Sequence, residues 1–185
     1  MMNITSLTKV KNLATIAVSL ITWVTLLMQY YGSGVPVHYL LHNKDLAAFS
    51  NWWGGIILPA ITWFLIARIN QNILLQPTEQ QQAFAKRILI GFVAAITWGV
   101  LLSAGFSFGY TQLSSTLFFG IPLIALFIKV YQEQFILGFV LSMSVVFGAI
   151  LPLIFATLIG TVSAIVYHLV HFIITQIKNM NKTAS

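Results

Sequence analysis

An all-α, polytopic transmembrane bundle is the fold this sequence predicts, and three observations predict it. Charged residues fill only 6% of the 185 positions, against about 25% in soluble domains. A globule of this size with so few charges could not cover itself with polar surface. Several apolar runs also reach the roughly 18 residues that a helix needs to cross a bilayer. Finally, Gly, Pro and basic residues punctuate those runs at their ends. A single membrane domain over 1–185 with six spans is preferred, and five spans is the alternative.

Residues 1–12 are polar and carry Lys9 and Lys11. The apolar run over 13–31 follows. It is too long for a signal-peptide core, has Trp23 at its middle and lacks a small-x-small cleavage site, so it reads as a retained first span. Gly32, Gly34 and Pro36 end it. Val37, Leu40, Leu41 and Ala48 then recur at helical spacing, which predicts a surface-lying helix over 36–48. Ser50 or Asn51 caps the second span, 51–69. Trp52 and Trp53 stand at its mouth, where indole rings favour the headgroup level. Pro59 lies inside this span and Arg68 marks its inner end.

The polar loop over 70–87 has no nucleotide-cradle pattern. The third span covers 88–108, the fourth 116–130 with Gly120 and Pro122 inside, and Lys129 closes the fourth. From 135 to 177 the chain is apolar without a charge. As one helix that stretch would be about 60 Å long, twice a bilayer core. It is therefore expected to cross twice, as spans 135–149 and 152–174, with a tight hairpin between Gly148 and Pro152.

Positive charge sets the orientation. With a cytoplasmic N-terminus and six spans, Lys9, Lys11, Arg68, Lys86, Arg87, Lys129, Lys178 and Lys182 lie inside and Lys44 alone lies outside. Five spans would move the last two outward, against the positive-inside rule. The expected location is a cell membrane of the bacterial inner-membrane kind, with both termini cytoplasmic. The net charge of +6 is read the same way, so no nucleic acid is expected as a partner. The bilayer is the expected partner, together with a second copy of the chain or another membrane protein.

Composition also narrows the chemistry. The chain has no cysteine, which removes disulfides, thiolate metal sites and cysteine nucleophiles. Asp45, Glu79 and Glu133 are the only carboxylates, and all fall outside the spans. Intramembrane ionisable groups mark proton relays and ion pathways, so a proton pump is disfavoured. Paired-carboxylate catalysis is disfavoured as well.

Four sets of residues remain as candidates. His38, His42 and Asp45 sit at i, i+4 and i+7, a spacing that would present two imidazoles and a carboxylate to a metal on one helix face. The bland reading is a polar face of the surface helix. His168 and His171, beside Tyr167, share a face near the inner end of the last span. Haem ligation is the sharper idea there and interfacial histidines the bland one. The six-span arrangement puts these two pairs on opposite sides of the membrane.

Ile-Thr-Trp occurs three times, and its Trp23, Trp63 and Trp98 fall in mid-span. With Thr62, Thr97, Pro59 and Pro122 they are the candidate walls of an internal ligand pocket. The competing reading is helix packing, with the threonines bonded back to their own helices. Last, Gly138 and Ser142, Ser144 and Gly148, and Ala156, Gly160 and Ala164 recur at i+4, a spacing that lets helix backbones approach closely. They are expected to pack the fifth and sixth helices on each other.

The function expected from these features is that of a small permease-like bundle for a neutral or apolar solute. Alternatives are a non-catalytic scaffold or accessory subunit, and a metal- or haem-dependent enzyme using one histidine pair. The balance leans away from an enzyme, and no cofactor is expected.

Overall fold

The computed structural model describes residues 3–39, 45, 47–125 and 127–183. Its described residues form six helices: α1 (Ile4–Tyr31), α2 (Gly54–Leu74), α3 (Gln81–Ser107), α4 (Thr111–Ala125), α5 (Glu133–Phe147) and α6 (Ile150–Thr183). Four stretches are long and apolar enough to cross a membrane: Ile4–Tyr31, Asn51–Leu74, Gln81–Ser107 and Ile150–Phe172. Helices α4 and α5 are shorter and apolar. This architecture fits a helical membrane protein, with helices that run several residues past the apolar runs at several ends.

Local signals explain most boundaries. The Asn3 side chain accepts from the Thr5 amide and caps α1, as its short polar side chain favours. Ser50 caps a 3-10 turn over Asn51–Trp53 by accepting from the Trp52 amide at 3.4 Å. That turn runs directly into α2. Between α5 and α6 the chain is broken by Gly148, at φ 69°.

Of the surface helix expected over 36–48, residues 40–44 and 46 lie outside the described residues, and the described ends are not helical. Instead β1 (Val37–Tyr39) and β2 (Ala48–Ser50) pair antiparallel, with Val37 opposite Ser50 and Tyr39 opposite Ala48. The Asn51 amide extends the pairing by donating to the Pro36 carbonyl at 3.0 Å. Val, Tyr and Phe suit a pleated ladder, and Pro36 leads into it extended. A three-residue ladder satisfies backbone groups that a short isolated helix would leave open at both ends.

Helix α5 is the axis of the bundle. It packs most extensively against α3, and also against α6 and α2. Leu137, Phe139, Val140 and Met143 of α5 are buried, Val140 completely. They join Leu58, Leu102, Ala149 and Ala156 in one core cluster. Helix α1 lies outside this core and packs chiefly on α2.

Antiparallel neighbours sort the charges. Leu7, Ile69 and Ile73 cluster with Phe84, Ala85 and Ile88 at one end, where Asn70 Nδ2 donates to the Leu7 carbonyl at 2.9 Å. Arg68 meets Glu133 there at 3.0 Å. Lys9, Lys11, Lys86, Arg87 and Lys129 belong to the same end by their neighbours in the chain. The ladder, the 3-10 turn and Gly148 gather at the other end, where a Cβ on Gly148 would meet the Asn51 and His38 side chains.

Candidate ligand cavity

Small residues shape the site before any polar group does. A Cβ built on Gly138 would lie 2.7 Å from the Phe92 carbonyl oxygen and 2.9 Å from Ala95 Cβ. One on Gly99 would run into the Ser142 hydroxyl. So Gly138 and Ser142 face α3, where Gly91, Ala95 and Gly99 form the matching face at i, i+4 and i+8. The expected partner of that face was α6, and α3 takes its place. Ser142 Oγ donates to the carbonyls of Gly138 at 2.8 Å and Phe139 at 3.0 Å, so it enters this tight seam satisfied.

Helices α5 and α6 do pack on each other, with Ala156 and Gly160 of the expected α6 face but with other residues on α5. A Cβ on Gly160 would sit 3.8 Å from Ile136 Cδ1 and from Tyr131 Cβ. Ala156 is buried in the core cluster, and Ala164 is half-buried on the same helix.

Between α3, α4, α5 and α6 the packing leaves a cavity of about 240 Å³. Helix α3 contributes Ala94, Ala95 and Trp98, and α4 contributes Ile121 and Ile124. Ile128 and Val130 come from the connection after α4; Phe135, Ile136 and Phe139 from α5; Ala156, Ile159 and Gly160 from α6. Every lining side chain is apolar except for the indole N–H of Trp98. That nitrogen is buried and has no hydrogen-bond partner among the described residues. A buried N–H left without a partner costs about 1–3 kcal/mol, and this one lies in the packing behind the cavity wall.

The three tryptophans do not meet in one pocket. Trp98 Cζ2 lies 3.5 Å from the Cβ position of Gly120 on α4 and forms one wall of the cavity. Trp23 packs over Gly55, with its ring 6.3 Å from Trp52. Trp63 is 50% exposed and carries Lys11 Nζ 4.3 Å above its ring, a cation–π contact that lets the lysine stem lie along apolar surface.

The threonines divide too. Thr97 donates back to the Val93 carbonyl at 2.9 Å, while Thr62 is 1% exposed and its hydroxyl has no partner among the described residues. Pro59 and Pro122 lie inside α2 and α4. Lacking an N–H, each leaves the carbonyl four residues earlier without its helical partner.

A second, more polar groove of about 270 Å³ runs between α1, α2 and α5. Thr22, Thr25, Gln29, Asn51 and Ser144 bring polar groups to it. Asn51 Nδ2 donates to Gln29 Oε1 at 3.4 Å.

The histidine sets are separated. His38 lies on β1, not on a helix, so the i, i+4 argument for a metal face no longer applies; His42 lies outside the described residues. His168 and His171 are exposed on α6. The His171 ring stacks on Tyr167 at 4.1 Å, and Tyr131 stands 6.2 Å from both Tyr167 and His168. Among the described residues no group of three His, Cys, Asp or Glu is placed to hold a metal.

The cavity wall on α5 and α6 escaped the sequence reading, because Phe135, Ile136, Phe139 and Ile159 look like any membrane-helix residues. The signal that was present is the Gly91, Ala95 and Gly99 spacing, which complements Gly138 and Ser142. No protein-family model matches the chain, and no curated protein and no solved structure shows a significant match to it.

Proposed function

We propose that the chain is a six-span, permease-like membrane protein that takes a neutral or apolar solute into the cavity beside Trp98. The observation that carries this reading is an apolar cavity with the Trp98 ring as one wall. Small-molecule pockets are lined mostly by hydrophobic and aromatic side chains. The proline-interrupted helices α2 and α4 add support, since interrupted helices are where transporters place their sites.

In this arrangement α4 and α5 are short spans, and α5 with α6 forms a hairpin at Gly148. The gathering of Lys9, Lys11, Arg68, Lys86, Arg87 and Lys129 at one end supports placing that end, and both termini, on the cytoplasmic side. A C-terminal reporter active only in the cytoplasm is expected to give full signal. A signal from the far side would overturn the six-span arrangement.

Binding is tested by fluorescence quenching of the purified full chain with a neutral brominated alkanol. The difference between wild type and Trp98→Phe isolates the Trp98 signal. Quenching of Trp98 is expected, and Gly160→Leu is expected to reduce it at least fivefold. The Cβ position of Gly160 makes only ordinary contacts, so the longer side chain fills the cavity without breaking the α5–α6 seam. No Trp98-specific quenching would sink the reading.

A scaffold role is the second reading. It draws on α1, whose most apolar window is only 6% buried, leaving most of that helix to lipid or to a partner helix.

A further inference from the structure

Beside the cavity stands a cation that no carboxylate among the described residues meets. Ile128 and Val130 both line it, and Lys129 stands between them in the chain. Lys129 Nζ lies 5.0 Å over the face of Tyr167. Tyr131, which packs against Gly160 of the cavity wall, sits 6.2 Å from both Tyr167 and His168. An aromatic platform thus holds one lysine at the basic-end rim of an apolar chamber.

The nearby carboxylate is already committed elsewhere. Glu133 accepts from Arg68 Nε at 3.0 Å and from Asn72 Nδ2 at 3.5 Å. Among the described residues Lys129 meets an aromatic face and no carboxylate. The cation is therefore left for an anion that the described residues do not supply.

We propose that the cavity holds the chain of a single-chain anionic amphiphile, a long-chain carboxylate, whose head group pairs with Lys129. The proposal rests on the cavity reading above for the apolar chain alone, and replaces the neutral solute of that reading with an anionic one. The apolar lining takes the chain, and the Trp98 ring forms one wall of it. At about 240 Å³ the chamber falls below the roughly 300–1,000 Å³ of sites for drug-sized ligands, so it holds part of one slender chain and has no room for the paired chains of a phospholipid. Placement at headgroup level lets the carboxylate meet Lys129 while its tail stays in hydrocarbon.

The test uses the full chain in zwitterionic nanodiscs, with Trp98 quenching read as the difference from Trp98→Phe. The probes are dibromostearate, the matched dibromostearyl alcohol and a brominated phosphatidylglycerol. Dibromostearate is expected to quench at about tenfold lower concentration than the alcohol, the scale of one charge-assisted contact. Lys129→Gln should erase that preference and Lys129→Arg should keep it. Lys86→Gln, at the same end but away from the cavity, should leave it unchanged.

Acid and alcohol quenching equally in wild type would overturn the head-group assignment while leaving the cavity reading intact. So would a Lys86→Gln effect as large as that of Lys129→Gln, since basic charge in general would then explain the preference. Phosphatidylglycerol quenching as well as the single-chain acid would overturn the single-chain occupant. Quenching of Trp98 by none of the probes would overturn both proposals. The wild-type comparison alone decides the main point, even where a Lys129 variant folds poorly.

Discussion

Gly138→Val is expected to prevent recovery of a folded, monodisperse bundle, and Gly138→Ala to cost about 3 kcal/mol, the upper end of ordinary overpacking penalties. The reason is what a side chain would meet. At Gly138 the nearest atoms are the Phe92 carbonyl oxygen at 2.7 Å, Ala95 Cβ at 2.9 Å and the Ile96 amide nitrogen at 3.2 Å. Two of these are backbone, and none is the far end of a flexible side chain. Room comes only by moving α3 away from α5, and that seam is the most extensive helix contact in the bundle. Total stabilities of about 5–15 kcal/mol leave little margin for such a separation.

Gly109 is the control. It has φ +77° and nothing within 4 Å of its Cβ position, so Gly109→Ala carries conformational strain alone, about 1 kcal/mol. Unfolding in mixed micelles, followed by circular dichroism, compares Gly138→Ala with Gly109→Ala, and size-exclusion chromatography reports whether Gly138→Val is recovered folded. Equal losses for Gly138→Ala and Gly109→Ala would show that the α3–α5 seam is not tight.

The contrast explains which parts of the fold could be read from residues alone. Helices made of lipid-compatible side chains announce their existence and their ends, because length, glycine, proline and lysine mark both. They do not announce their rotation. A helix that is apolar all round carries little amphipathic signal, so nothing in Ile-Thr-Trp says which way each copy turns. Trp98 turns toward Gly120 and the cavity, Trp23 toward Gly55, and Trp63 toward Lys11. Small residues are the exception. Their spacing marked Gly138 and Ser142 as a contact face, but pointed to the sixth helix as the partner where the third lies.

The loop was misread for another reason. Val37, Leu40, Leu41 and Ala48 invite a helix by their spacing, but β1 gains its ladder from residues about eleven positions onward. That pairing is non-local, and no period within 36–48 reveals it.

Gly148 joins these themes. Its φ of 69° and ψ of 179° fall in a region open essentially to glycine alone, where another residue costs about 1–3 kcal/mol. A Cβ there would also run into the Asn51 side-chain oxygen and lie 3.0 Å from His38 Cδ2. Gly148→Ala therefore meets two separable penalties, one conformational and one steric, and is expected to cost about 3 kcal/mol or more in all. Asn51→Ala removes the steric partner and leaves the conformation as it was. In that background the cost of Gly148→Ala should fall toward the conformational part, about 1–3 kcal/mol, with the 3.0 Å approach to His38 Cδ2 remaining. A double-mutant cycle on unfolding free energies measures the difference. Strict additivity would mean that Asn51 does not press on the turn. If Gly148→Ala were neutral in both backgrounds, α5 and α6 would not be joined by this glycine turn at all. The break at Gly148 would then have no claim to be the hairpin that returns the chain to the basic end.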